Sequence, residues 1–336
     1  MFKPVPRILI AIVMAAALLV PAVPVRAEGT TSTDERSVSE IILSGLWAGV
    51  NFTFGGSSSS TTTTSTPTTS RPANGQTQQP NTPPVPPTAG AYVALGDSVA
   101  AGVGLPTVLQ VPAGETRCGR TGEAYPHEVA RAMSLPLIHK ACSGATAGDL
   151  FTKQRSGSPN LAPQLDAAFT GGNPELITIT AGANDTHWER FLTTCRYSDC
   201  ATSTQTTLAN GYLLALQGKL VYLFGDIRSR SGGVNPPTVV ITGYYNPVSS
   251  SCTTQFENIT AEEIYWMTGM VDSLNQTIED VADLYPFVRF APVDFTGHDL
   301  CSADPWIQGL SDPRPIHPTT EGQSVIANSV LRSLGR

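Results

Sequence analysis

Four short segments of this 336-residue chain contain residue types that can carry out covalent chemistry. In chain order they are Gly96-Asp97-Ser98, Ser143-Gly144-Ala145, Gly182-Ala183-Asn184-Asp185 and His317-Pro318. Ser98 offers a hydroxyl nucleophile, and His317 offers an imidazole that can remove its proton. The backbone N–H groups of Ser98 and Gly144 and the side-chain amide of Asn184 can donate to an oxyanion. These are the parts that hydrolysis of an ester needs.

Two of the segments directly follow predicted strands. Tyr92–Leu95 is a short apolar run before the Ser98 segment, and Leu176–Thr180 is an alternating, β-branched run before the Asn184 segment. In α/β proteins ligands bind at the carboxyl ends of the strands, so we expect Ser98 and Asn184 at one edge of a sheet. The simpler alternatives are that Ser98 is a helix N-cap and that Asn184 forms an Asx-turn.

His317 lies in a proline-rich loop before a predicted final helix. Pro315 and Pro318 flank it, and the following sequence has a helical apolar pattern. The chain contains five histidines: His127, His139, His187, His298 and His317. Most histidines are structural, but the position of His317 favours it as the base, because a loop of this kind can reach a strand edge.

The wider pattern predicts an α/β fold. Strands are expected near 91–95, 176–180, 238–242 and 288–291, and helices near 125–133, 208–227 and 261–284. Thr260 and Glu263 form a capping box at the start of the last of these helices. This alternation of strands and helices predicts a parallel sheet with helices on both faces.

The four segments together resemble the SGNH/GDSL hydrolase family, from about Ala91 to the end of the chain. The similarity is greatest to its secreted actinobacterial lipases and esterases, which the stretch 298–307 also resembles. The resemblance implies a flavodoxin-like three-layer α/β/α sandwich with a parallel central sheet. It further implies Ser98 as nucleophile, His317 as base, and an oxyanion hole formed by Ser98, Gly144 and Asn184.

One position departs from the usual pattern of that family. An aspartate usually stands three residues before the catalytic histidine, but here that residue is Arg314. Either a backbone carbonyl of Arg314 or Pro315 orients the imidazole, or Asp312 folds back to reach His317. We favour the carbonyl, because prolines at 313 and 315 stiffen the segment.

The region before the catalytic segments is read as export and linker sequence. Positive charges at Lys3 and Arg7, an apolar run over 8–20 and a small-residue exit at Ala27 are typical of a signal peptide. The expected organisation is a signal peptide at 1–27, a short N-terminal segment at 28–54, a disordered Ser/Thr/Pro-rich linker at 55–90 and the hydrolase domain at 91–336. We therefore expect a secreted protein, with association with the cell envelope through the N-terminal segment as an option.

An even number of cysteines behind a signal peptide predicts disulfides, although the sequence alone leaves their pairing open. The resemblance implies the pairs Cys118–Cys142, Cys195–Cys200 and Cys252–Cys301. The sequence contains no zinc-type spacing, Walker loop or dinucleotide fingerprint after a strand, so neither a metal nor a cofactor is expected.

The net charge of −7 argues against a nucleic-acid partner. We therefore expect a monomeric secreted serine esterase or lipase acting on a small-molecule or lipid ester. The alternatives are a carbohydrate O-deacetylase or acyltransferase of the cell envelope, and a non-catalytic surface binding module.

Overall fold

The computed structural model describes residues 89–154, 161–254, 256 and 258–336. The predicted signal peptide at 1–27 and segment at 28–54 lie outside the described residues, as does the linker up to residue 88. The domain boundaries expected there stay predictions.

The centre of the structure is a five-stranded sheet in which all the strands are parallel. The strands are β1 (Tyr92–Gly96), β2 (Leu137–His139), β3 (Leu176–Thr180), β4 (Thr238–Thr242) and β5 (Val288–Ala291), in the order β2-β1-β3-β4-β5. This is the flavodoxin-like strand order, whose topological switch point lies between β1 and β3. The predicted α/β sandwich is confirmed.

Helices cover this sheet. Those described are α1 (Ser98–Ala101), α2 (Tyr125–Met133), α3 (Gln164–Ala168), α4 (Trp188–Tyr197), α5 (Ser203–Arg230), α6 (Ala261–Ala282) and α7 (Thr320–Ser333). Short 3₁₀ helices occupy Ala113–Cys118, Gly148–Leu150 and Ser250–Thr254. α2 packs against α7, and α5 packs against α6. The predicted capping box is present: the Thr260 side chain accepts from the Glu263 N–H, and the Glu263 carboxylate accepts from the Thr260 N–H.

Two apolar clusters stabilise the domain. The larger contains the buried strands and the inner faces of the helices. The smaller, here called the outer cluster, is formed around Phe191, Trp266 and Met267, and contains the disulfides Cys195–Cys200 and Cys252–Cys301. The outer cluster joins α4 to α6 and the loops beside it.

Some elements differ from expectation. β2 was not predicted, because a strand of three residues is too short to show a period of alternation. α5 extends five residues before and three residues after the predicted 208–227. Its start is set by Thr202, which caps the helix by accepting from the Gln205 N–H. Among the described residues, no helix has both the length and the apolarity needed to cross a membrane.

Candidate active site

A tight turn between β1 and α1 presents Ser98. Gly96 has a φ of +132°, and a Cβ there would collide with the Thr180 carbonyl oxygen, so this position requires glycine. The Asp97 carboxylate accepts from the Val99 N–H at 2.9 Å and caps α1. Ser98 is therefore the first residue of the helix rather than its cap, and its N–H has no carbonyl partner within the helix.

The His317 imidazole lies next to the Ser98 hydroxyl. Nε2 of His317 is 2.8 Å from Oγ of Ser98, and Nδ1 is 3.1 Å from the Pro315 carbonyl oxygen. Because a carbonyl can only accept, Nδ1 carries the proton and the Nε2 lone pair faces the hydroxyl. Burial lowers the pKa of His317, against the effect of the Pro315 and Arg314 carbonyls, so the ring is neutral at pH 7.

Asp312 does not contact the imidazole. Its carboxylate accepts from the Gly309 N–H at 2.6 Å, within its own loop. Of the two groups proposed to orient His317, the structure brings the Pro315 carbonyl to the ring and directs Asp312 elsewhere.

The two remaining segments meet each other, next to the turn that precedes Ser98, where the Cys142 N–H donates to the Gly96 carbonyl at 2.9 Å. Gly144 has a φ of +77°, and the Asn184 amide donates to the Ala145 carbonyl at 2.8 Å. An amide NH₂ has two donor hydrogens, so this bond orients Asn184 and leaves its second hydrogen able to bind an oxyanion. The loop containing Gly144 is thus fixed to the end of β3.

An ion pair between a buried aspartate and a partly exposed lysine strengthens that attachment. Asp185 accepts from the Ala147 N–H at 2.7 Å and from the Lys219 ammonium at 2.8 Å. Burial raises the pKa of Asp185, and Lys219 opposes the rise. The sequence indicated Asp185 only as part of its segment, whereas the structure makes it the link between α5 and the Gly144 loop.

Three further polar groups have contacts that the sequence did not predict: the hydroxyls of Tyr244 and Tyr245 and the carboxylate of Asp97. The Tyr244 hydroxyl donates to the Asp97 carboxylate at 2.5 Å, and the Tyr245 hydroxyl donates to the Ile316 carbonyl at 2.6 Å. Burial raises the pKa of Asp97 to about 7, although the hydrogen bonds from Tyr244 and the Val99 N–H lower it. Both tyrosines follow the carboxyl end of β4. The argument that placed Ser98 at the carboxyl end of a strand could therefore have identified them as well.

The disulfides join the cysteine pairs that the resemblance implied. Cys118–Cys142 lies next to the Gly144 loop, where the Ser143 N–H donates to the Cys118 carbonyl at 3.1 Å. Cys195–Cys200 and Cys252–Cys301 brace the outer cluster.

One group of described residues has the composition of a metal site. Cys252, Asp299 and Cys301 place potential ligand atoms within 4.8 Å of one another. Both sulfurs belong to one disulfide, however, and Asp299 accepts from the Ser249 hydroxyl at 2.8 Å and the Cys301 N–H at 2.9 Å. A disulfide offers no thiolate, so this group is structural.

The arrangement of strand edge, serine and histidine defines a class of ester-cleaving α/β enzymes, and comparisons with known proteins agree. The profile of the GDSL-like Lipase/Acylhydrolase family matches residues 94–325. A lipase of Streptomyces rimosus is 30% identical over 251 residues, which cover 72% of this chain and 85% of that protein. Lipase 1 of Streptomyces coelicolor is 30% identical over 249 residues, covering 71% and 84%.

Solved structures give the same result. The crystal structure of the extracellular lipase from Streptomyces rimosus superposes with a TM-score of 0.60 at 28% identity, covering 73% of this chain and 99% of that one. A phospholipase A1 from Streptomyces albidoflavus NA297 gives 0.55 at 29% identity, covering 73% and 99%. The chain belongs to the GDSL-like lipase/acylhydrolase family. It is a carboxylic ester hydrolase.

Proposed function

We propose that the chain is a secreted serine esterase or lipase that works through an acyl-enzyme on Ser98. The observation that carries this proposal is the 2.8 Å approach of His317 Nε2 to Ser98 Oγ, between residues 219 positions apart in the sequence. A contact over that separation requires the whole domain to bring the two groups together. The Nδ1 hydrogen bond to Pro315 supports the tautomer that a general base needs.

The reaction proceeds in two halves. Ser98 Oγ bonds to the ester carbonyl carbon while its proton passes to His317 Nε2, and the carbonyl oxygen becomes an oxyanion. The tetrahedral intermediate expels the alcohol, which takes the proton from Nε2. Water then attacks the acyl-enzyme, gives a proton to Nε2, and the acid leaves as the proton returns to Ser98.

Three donors are proposed for the oxyanion: the N–H groups of Ser98 and Gly144 and the amide of Asn184. The hydrogen bond from Asn184 to the Ala145 carbonyl supports this role, because it holds the amide beside the loop of Gly144. Removing one oxyanion donor typically slows turnover by about 10²–10³-fold. His317 would be oriented by the Pro315 carbonyl, so the machinery is a dyad without a carboxylate.

The direct test is hydrolysis of p-nitrophenyl acetate, butyrate and palmitate by the full chain. We expect Ser98→Ala and His317→Ala to lose roughly 10⁴-fold or more in kcat, while Ser229→Ala, at an exposed position of α5, keeps wild-type turnover. The chain-length profile distinguishes a lipase from a short-chain esterase. Absence of turnover from folded, disulfide-intact protein would contradict the proposal.

Secretion and the monomeric state belong to the same proposal. Three disulfides support an oxidising compartment, and the Streptomyces rimosus relative is an extracellular lipase. Expression in an exporting host should yield protein in the medium whose N-terminal sequence starts at Glu28 and which sediments as a monomer. Intracellular protein with an intact N-terminus would contradict this part.

A further inference from the structure

Two consecutive tyrosines lie between the serine and histidine sides of the site. Tyr244 and Tyr245 follow β4, and their side chains are buried, with 6% and 7% of their surface exposed. Asn275 of α6 fixes the backbone here: its Oδ1 accepts from the Tyr244 N–H and its Nδ2 donates to the Tyr244 carbonyl, both at 2.7 Å. These two hydrogen bonds fix the backbone from which the Tyr244 and Tyr245 side chains extend.

On the serine side, Tyr244 acts on the turn before the nucleophile. Its hydroxyl donates to one oxygen of Asp97 at 2.5 Å, and the other oxygen accepts from the Val99 N–H. The short distance is typical of a charge-assisted O–H···O⁻ bond. Because Asp97 caps the helix that begins at Ser98, its position determines where the Ser98 hydroxyl lies.

On the histidine side, Tyr245 acts on the residue before His317. Ile316 has a φ of +69°, which is rare and unfavourable for a β-branched residue. Such a conformation persists only where its surroundings hold it. Tyr245 donates to the Ile316 carbonyl at 2.6 Å, and the Tyr245 ring stacks on Phe295 with centroids 4.4 Å apart.

We propose that Tyr244 and Tyr245 are positioning residues that together set the Ser98–His317 distance. Tyr244 holds the serine through Asp97, and Tyr245 holds the histidine through the strained carbonyl of Ile316. Neither hydroxyl touches the reacting atoms. The inference rests on the proposed Ser98–His317 mechanism.

The test compares tyrosine-to-phenylalanine variants of the full chain. Tyr245→Phe keeps the stacked ring and releases the Ile316 carbonyl, so kcat should fall about tenfold with little change in KM. Its His317 should also titrate nearer to pH 6.5, because the loop becomes less buried. Tyr244→Phe should lower kcat similarly and leave the His317 titration unchanged.

Tyr285→Phe is the matched control. The Tyr285 hydroxyl donates to the Val221 carbonyl at 2.8 Å, between the end of α6 and α5, so its loss removes the same kind of bond elsewhere. Unchanged kcat and His317 titration in Tyr245→Phe, or equal losses in Tyr285→Phe, would overturn the proposal. If Tyr244→Phe does not fold, Asp97→Asn tests the serine side, because it weakens the hydrogen bond from the Tyr244 hydroxyl and leaves the tyrosine ring in place. Unchanged kcat in Asp97→Asn would then overturn that half of the proposal.

Failure of the proposed esterase function is distinguishable from failure of the tyrosine proposal. In that case the wild type itself neither hydrolyses the esters nor reacts at Ser98 with a fluorophosphonate. The positioning role of Tyr245 is then judged from the NMR titration of His317 in Tyr245→Phe and Tyr285→Phe, which needs no turnover.

Discussion

At the scale of single residues, the proposed base is governed by its immediate surroundings. His317 must be neutral to accept the Ser98 proton, and burial lowers its pKa from the ordinary value of 6.5. Protonation therefore removes activity only below that value. The Pro315 and Arg314 carbonyls raise the pKa of His317 and so limit the shift.

This gives a pH dependence with a defined sign. The acidic limb of kcat/KM should rise with a slope of one and a midpoint below the ordinary histidine value of 6.5. Stopped assays with a short-chain p-nitrophenyl ester across the acid range measure it. A midpoint above 6.5 would mean that an acidic neighbour, rather than burial, dominates the environment of His317.

The choice between dyad and triad is also a single-residue question. Asp312→Asn should retain most of kcat, because the asparagine oxygen can still accept from the Gly309 N–H and the Pro315 carbonyl still binds the imidazole. Steady-state kinetics beside wild type measure the effect. A loss approaching about 10⁴-fold in a folded variant is what replacement of a triad aspartate produces.

At the scale of elements, the site depends on a few hydrogen bonds and one ion pair that join the Gly144 loop to its neighbours. The Gly144 loop is held to β3 and α5 through Asp185, whose side chain is 1% exposed, and its partner Lys219, which is 37% exposed. Loss of the lysine leaves a buried carboxylate unpaired. The exposure of Lys219 moderates the effect, since water already solvates part of its charge.

Lys219→Met should therefore lower the free energy of unfolding by about 1–3 kcal/mol and reduce kcat as the Gly144 loop loosens. Urea denaturation at pH 7 and ester hydrolysis measure the two effects. Lys153→Met, at an exposed position, is the matched control. Equal stability of the two variants would show that the ion pair does not hold the loop.

The strands and helices differ in how well the sequence predicts them. β1, β3, β4 and β5 are buried runs rich in apolar and β-branched residues, and Thr260 with Glu263 marks a helix start, so these were accessible. Residues 137–139, which form β2, are too few to show the alternation that predicts a strand. The start of α4 was also not predictable, because it follows His187, whose φ of +53° has no sequence signature. At Phe191 and Trp188 the sequence alone does not distinguish an aromatic residue that lines a pocket from one in the core. Phe191 is fully buried against Trp266, with ring centroids 5.3 Å apart.

The residues of the site also divide into those that the sequence predicted and those whose contacts it did not. Ser98, Gly144, Asn184 and His317 were indicated because residue type and strand-edge position are local properties. Tyr244 and Asp97 are 147 positions apart, and Tyr245 and Ile316 are 71 apart, so their contacts depend on the complete fold.

At the scale of the whole molecule, the half-buried His139 links folding to pH. Burial lowers the pKa of His139 to about 3, and its Nε2 lies 2.9 Å from the Ala100 carbonyl. The unfolded chain binds a proton at this residue near pH 6.5, but the folded chain does not until about pH 3. Stability from this group is complete above 6.5 and declines as the pH falls through that range.

The contribution of His139 to the free energy of unfolding should accordingly drop with acidification, by up to about 1.4 kcal/mol per pH unit. Asp97, whose pKa burial raises to about 7, acts in the opposite direction over the same range, so the His139 contribution is measured as the difference between wild type and a His139 variant. His139→Gln, whose amide can still donate to the Ala100 carbonyl, lacks this contribution and should lose less stability than wild type as the pH falls. Urea titrations of both proteins from pH 7 to about pH 4 measure the two slopes. Parallel slopes would assign the acid sensitivity to other groups.

The order in which the ribosome makes the two proposed catalytic residues has a consequence for when activity begins. Ser98 emerges 219 residues before His317. At a synthesis rate of about 5–20 residues per second, the nucleophile is without its base for roughly 10–40 s. A nascent chain that has already formed β1 and its turn is therefore inert toward esters in its surroundings. The first turnover therefore reports that the loop containing His317 has reached Ser98, near the end of folding.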